Sequence, residues 1–164
     1  MSSSKPGDEV RAGVLRYLRT GVRSTRDALQ YLSRRGLSLQ RATGLVATFQ
    51  AQGLLDDRAA ARLWAEHWAR QHYADSAIRL KLLAKGFDEP LARNTIARLL
   101  CDANDEERAR RLLAQHLRPA RGRGRVLSRL ARLLASRGFD SELIERVLRI
   151  SRNLAASDSV NAER

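Results

Sequence analysis

Strand-forming chemistry is scarce in this chain. It holds only three Phe, three Tyr and two Trp, and β-branched residues are few beside Leu, Ala and Arg, all good helix formers. Three prolines leave long stretches free to be helical. With Trp64 and Trp68 expected to face a core, no stacking platform for single-stranded bases is evident. A lone cysteine, Cys101, excludes an internal disulfide and fits a reducing cytoplasm. It follows the apolar run that begins at Ile96 and reads as a buried, inert thiol. No stretch approaches the roughly 20 apolar residues of a bilayer span. Met1 to Gly7 also lacks the apolar segment of a signal peptide. The expected location is the cytoplasm.

Catalytic chemistry is equally thin. His67, His72 and His116 are the histidines, and the first two, five apart, lie roughly 140° around a helix rather than on one metal-binding face. His67, flanked by Trp64 and Trp68, reads as an interfacial core residue. Asp56-Asp57 and Asp88-Glu89 sit where helices begin, so capping accounts for them more simply than acid–base work. Gly122-Arg123-Gly124 is an isolated fragment of a phosphate-loop pattern with no strand before it. The expectation is a protein without enzyme activity, metal or cofactor.

What is present is repetition. Gly36-Leu37-Ser38, Gly86-Phe87-Asp88 and Gly138-Phe139-Asp140 recur along the chain. Aligned on the glycine, Leu32, Leu82 and Leu134 coincide four residues upstream and Ala28, Ile78 and Leu130 eight upstream. Val46, Ile96 and Leu148 coincide ten downstream. Spacings of four and eight keep one helix face, so each unit has the same buried stripe. Each glycine follows basic residues (Arg34-Arg35, Lys85, Arg137) that suit a helix C-terminus, and a left-handed glycine there closes the helix. The next apolar residue packs back, and Ser38, Asp88 or Asp140 caps a new helix. Ser24-Thr25-Arg26-Asp27 resembles a capping box.

An earlier helix precedes each pair. These run over about Val10 to Arg19, Arg58 to Gln71 and Glu106 to Leu117. In the middle one, Ala60, Leu63, Trp64 and Trp68 point inward while Arg62, Glu66 and Arg70 point outward. The expected fold is all-α, three tandem three-helix repeats over 9–56, 57–105 and 106–154 forming an elongated array. Residues 1–8 and 155–164 read as disordered tails. No heptad seam is present, which argues for a monomer.

Acid is in short supply: 31 Lys and Arg face 18 Asp and Glu, a formal net charge of +13. Such a surface attracts polyanions. The excess is uneven, at +5 over 9–56, +1 over 57–105 and +8 over 106–152. From Arg118 to Arg137 there are seven arginines and no acid. Arg118, Arg121 and Arg123 fall in a Pro/Gly-containing loop. Arg125, Arg129 and Arg132 follow at helical spacing as one stripe, backed by Val126, Leu127, Leu130, Leu133 and Leu134. A solvated face usually interleaves both signs, so this stripe reads as a phosphate or carboxylate clamp. Arg34, Arg35, Lys81 and Lys85 join it as candidate partner- or phosphate-binding residues. DNA contact through such groups is to the backbone, salt-sensitive and weakly selective.

Taken in succession, several stretches resemble the RecX family of recombinase regulators. They are Gly53-Leu54-Leu55-Asp56-Asp57 with the helix to Arg70, Leu82-Leu83-Ala84-Lys85-Gly86-Phe87-Asp88, and Leu133-Leu134-Ala135-Ser136-Arg137-Gly138-Phe139-Asp140 with Ile144, Val147 and Leu148. The likeness covers roughly residues 10–150. It implies tandem three-helix repeats, binding in the groove of the RecA recombinase–DNA filament, restraint of recombinase activity, and contact with DNA. The chain departs from the family pattern at His72-Tyr73-Ala74-Asp75, where a Gly/Pro-containing basic turn is usual, and at Ala59-Ala60-Ala61. A basic helical DNA-binding protein without a recombinase partner fits the charge equally. A helical scaffold whose charge serves solubility is the third reading.

Overall fold

A computed structural model describes the backbone over 6–99, 104–116 and 123–161, and side chains over 9–99, 104–116 and 126–151. Every regular element among these residues is an α-helix. In order they are α1 (Pro6–Arg19), α2 (Thr25–Arg34), α3 (Leu39–Ala51), α4 (Asp57–Arg70), α5 (Asp75–Ala84), α6 (Glu89–Leu99), α7 (Asp105–His116), α8 (Arg123–Ser136) and α9 (Ser141–Asn161). The all-helical expectation holds. Two ends differ from the sequence reading. Helix α1 starts at Pro6, a residue whose fixed φ suits a first helical position. Helix α9 runs on to Asn161, where a tail was expected from 155; no Gly or Pro interrupts that stretch. Cys101 lies outside the described residues.

The glycine-closed turn is built three times in one way. Gly36, Gly86 and Gly138 have φ of +81°, +89° and +87°. In each turn the N–H of the following apolar residue bonds back to the carbonyl five residues earlier. Leu37 reaches Leu32 at 3.3 Å, Phe87 reaches Leu82 at 3.2 Å, and Phe139 reaches Leu134 at 3.3 Å. The orphan carbonyls of each helix end are thereby satisfied. The next helices are then capped, Leu91 N–H by Asp88 and Leu143 N–H by Asp140, both at 2.7 Å. Ser38 is a correction: its backbone is extended as an N-cap requires, but its side chain makes no capping bond. The capping box of Ser24 and Asp27 is complete in both directions.

The described residues pack into two compact units. One runs to Glu66 and includes Arg79–Thr95; the other joins His67–Ile78 to the residues from Ile96 onward. Helices α4, α5 and α6 therefore contribute to both. Val14, Ala28, Leu32, Ala42, Val46, Phe49 and Leu55 form a core in the first unit. In the second, Ala109, Leu112, Leu113, Leu130, Leu134, Phe139, Leu143, Ile144, Val147 and Leu148 form another. Val126, Leu127 and Leu133 pack against it, so the apolar back of α8 lies where the helical spacing placed it. Two residues of α4 depart from expectation. Leu63 is 50% exposed and His67 is exposed, because small Ala60, Ala61 and Ala65 with Trp68 supply the buried side instead. An alanine-rich stripe lets another backbone come close and rotates the bulkier residues outward.

Candidate partner-binding surface

Each unit contains one junction in which the start of a helix is held by residues far along the chain. In the first unit the Ser24 hydroxyl donates to the Lys85 carbonyl at 2.8 Å, and the Thr25 N–H donates to Asp57 Oδ1 at 2.7 Å. In the second the Ala74 N–H donates to the Arg137 carbonyl at 3.0 Å, and the Asp75 N–H donates to Asp105 Oδ1 at 2.9 Å. The two accepting carbonyls both belong to the basic residue just before a left-handed glycine. That glycine is required for close approach as well as for its φ. A Cβ on Gly86 would come within 2.5 Å of the Arg26 stem, and one on Gly138 within 2.5 Å of the Ala77 methyl. The same carbonyl and the same glycine position are thus used in both units, with different side chains meeting them.

Charge distinguishes the two junctions. The first sets a single carboxylate, Asp57, against the Thr25 N–H, and the Thr25 hydroxyl accepts from the Gln50 amide at 3.1 Å. The second buries Arg108, 3% exposed, whose guanidinium bridges the Asp75 and Asp105 carboxylates. Burial lifts the Asp75 carboxyl above its ordinary range, against the pull of Arg108 and with the Asp105 charge adding to the rise. Nearby, His72 holds a left-handed backbone at φ +58°, the position its neighbours fill with glycine. Burial lowers its pKa, and the Arg111, Arg137 and Arg108 charges lower it further, against a hydrogen bond with Gln115. The Gln115 side-chain amide lies 3.0 Å from Nε2, while shielded Nδ1 meets no partner among the described residues.

The basic residues singled out in the sequence fall into three groups. Arg34 is exposed in the last turn of α2 and Lys81 is half-buried on α5. Arg35 and Lys85, which immediately precede their glycines, lie over aromatic rings: Arg35 at 5.2 Å from the Tyr31 centroid and Lys85 Nζ at 4.2 Å from that of Trp64. Arg137, at the matching position of the third turn, covers Tyr73 at 4.5 Å. A cation there serves both the helix C-terminus and a ring face. Arg129 and Arg132 are exposed on α8 and form no ion pair among the described residues. Their neighbours on α7 differ, since Arg110 pairs with Glu106 and Arg111 with Glu107. Glu106 and Glu107 thus neutralise part of α7, whereas α8 carries no acid of its own. Arg123 and Arg125 occupy the first turn of α8, and Arg118 and Arg121 lie outside the described residues.

One arrangement went unread in the sequence. Tyr17 and Tyr31 stack face to face, centroids 4.3 Å apart and planes 11° from parallel. Arg23 covers the outer face of Tyr17 at 4.5 Å, as Arg35 covers that of Tyr31. The Tyr31–Arg35 half is an i,i+4 pair and was open to detection; the Tyr17 half needs the α1–α2 packing. Among the described residues no cluster of three or more His, Cys, Asp or Glu side chains is placed to hold a metal. No described helix is long and apolar enough to cross a membrane.

Comparison with known proteins decides the family. The chain is 33% identical over 149 residues to regulatory protein RecX of Streptomyces coelicolor, covering 88% of this chain and 78% of that one. The chain belongs to the RecX family. Regulatory protein RecX of Streptomyces lividans matches at the same identity and extent. That of Leptothrix cholodnii is 28% identical over 153 residues, covering 92% of this chain and 94% of its own. The RecX crystal structure from Lactobacillus salivarius superposes with a TM-score of 0.70 at 16% identity, over 87% of this chain and 94% of that chain. A second structure, of a regulatory protein RecX, gives 0.64 at 20% identity over 85% and 70%. At these identities the superpositions bear on the fold. No family model matches the chain.

Proposed function

We propose that this chain is a non-enzymatic regulator that binds the RecA recombinase–DNA filament in its groove and restrains recombinase activity in DNA repair and the SOS response. The observation that carries the proposal is the RecX relationship over 88% of the chain. We read the chain as three modules, 9–56, 57–105 and 106–154, acting as a cytoplasmic monomer. The two like junctions, through Lys85 and Arg137, support that division. Separate modules offer separate weak contacts, which add through effective concentration along a polymeric partner. Exposed Arg129, Arg132 and Arg34 are among the described cations that can meet acidic recombinase surface or DNA phosphate.

A second reading, a basic helical DNA-binding protein with no recombinase partner, draws on the net positive charge and on exposed Arg129 and Arg132 of α8. DNA-stimulated ATP hydrolysis by the recombinase separates the two. The assay is run at low salt and again at salt that abolishes the chain's own DNA binding. Suppression at high salt is expected for the filament regulator. Suppression confined to low salt would assign the effect to competition for DNA.

A further inference from the structure

The paired tyrosines are the feature whose chemistry the filament reading leaves unused. Lys85 over Trp64 and Arg137 over Tyr73 are contacts that helix closure accounts for. Tyr17 and Tyr31 instead form a two-ring stack with a guanidinium at each end. Two near-parallel rings in contact make a flat platform, and flat cations already sit where another flat group would fit.

The two ends of the stack differ. Arg23 is anchored: its guanidinium donates to the Thr20 hydroxyl at 3.1 Å, and that hydroxyl donates to the Tyr17 carbonyl at 2.7 Å. Arg35 is exposed, lies farther from its ring, and its guanidinium has no hydrogen-bond or ion-pair partner among the described residues. The surroundings on that side are open too. Nothing lies within 4 Å of where a Cβ on Gly36 would point, whereas Gly86 and Gly138 are covered there by Arg26 and Ala77. Exposed Arg16, Arg19 and Arg34 lie on the same two helices. The acid of α2, Asp27, is committed to the Ser24 N–H at the opposite end of the helix.

We propose that the Tyr17–Tyr31 stack, with Arg35 as its displaceable cover, is a binding site for a base of single-stranded polynucleotide. The base takes the outer face of Tyr31, and the released Arg35 guanidinium turns to a neighbouring phosphate. A flat anchored stack with a mobile cation at one end suits a ligand that alternates flat bases with phosphates. Duplex bases, already stacked and paired on both faces, do not fit it. The site goes beyond the filament reading and requires no recombinase.

The test therefore contains none. Fluorescence anisotropy is measured with a labelled oligothymidine strand and with an abasic strand of the same length and charge. Wild type is expected to bind the base-bearing strand about tenfold more tightly, the scale of one stacked base. Tyr31→Leu should abolish the difference between the strands, and Tyr31→Phe, which keeps the ring, should preserve it. Equal binding of both strands by wild type would overturn the site and leave recognition to charge, as an acidic protein surface would also use. Retention of the difference in a helical, cooperatively melting Tyr31→Leu protein would overturn it as well. The wild-type comparison depends on no variant folding, and its failure leaves the ATPase test of the filament reading intact.

Discussion

The backbone N–H of Thr25 donates to the carboxylate of Asp57 at 2.7 Å, across 32 residues of sequence. Thr25 opens α2 and Asp57 opens α4, so one carboxylate meets an orphan donor of another helix while lying in its own helix's first turn. Asp75 and Asp105 repeat the relationship in the second unit. Because the donor is a main-chain group, proline can remove it. Asp57→Ala should cost about 1 kcal/mol in urea unfolding, the usual scale for a part-buried bond left unmet. In a Thr25→Pro background, where the first helical position tolerates proline, the same substitution should cost close to nothing. A full cost in that background would mean that Asp57 acts through its own helix.

The charged junction predicts a larger effect. Arg108 is buried and bridges two carboxylates that are themselves partly exposed, at 41% and 33%. Arg108→Met leaves Asp75 and Asp105 facing each other with no cation between them. We expect a loss of about 2 kcal/mol, at the low side for a broken buried pair because both carboxylates reach water. Adding Asp75→Asn should restore part of it by removing one of the opposed charges. A double variant no more stable than Arg108→Met would show that packing of the arginine stem, rather than its charge, holds the junction.

The residues that were legible in the sequence are those whose roles are set locally. Leu32, Leu82 and Leu134 are fully buried because a spacing of four from a helix-ending glycine leaves one face for them. Gly36, Gly86 and Gly138 are left-handed because that closure depends on the turn itself. Asp88 and Asp140 cap the next residues in the chain. Leu63 was misplaced because its exposure depends on which face of α4 its alanines present for packing. The rings under Lys85 and Arg137 lie many residues away, at Trp64 and Tyr73. No period in the sequence links them, so Lys85 reads there as a candidate partner-binding cation and Arg137 as a helix-end charge. The departure at His72 is now placed: it occupies a left-handed turn position that glycine fills elsewhere.

Glycine substitutions separate backbone strain from close approach. Gly36 and Gly138 share a left-handed φ, but only Gly138 is covered, by the Ala77 methyl. Gly36→Ala should cost about 1 kcal/mol, the strain of a Cβ in that conformation. Gly138→Ala should cost about 3 kcal/mol, since overpacking against Ala77 adds to the same strain. Pairing Gly138→Ala with Ala77→Gly should return the cost toward that of Gly36→Ala. Equal losses for the two single variants, read from urea midpoints, would mean that the second unit yields around the added methyl.

His72 gives a dependence on pH whose sign follows from its surroundings. Burial and the Arg111, Arg137 and Arg108 charges hold its native pKa below the ordinary histidine value. The unfolded chain therefore binds the proton more readily than the native one. Stability is full above the unfolded value and is lost as pH falls from there through the lowered native value. His72→Asn removes the titrating group while keeping a residue that tolerates the left-handed backbone. The thermal stability of wild type should fall as pH is lowered from about 7.5 to about 5.5, the span in which histidine changes charge. The Asn variant should lose less over the same span, with His67 and His116 common to both proteins and cancelling in the difference. An identical pH slope in the two proteins would show that protonated His72 is as well accommodated in the fold as in the unfolded chain.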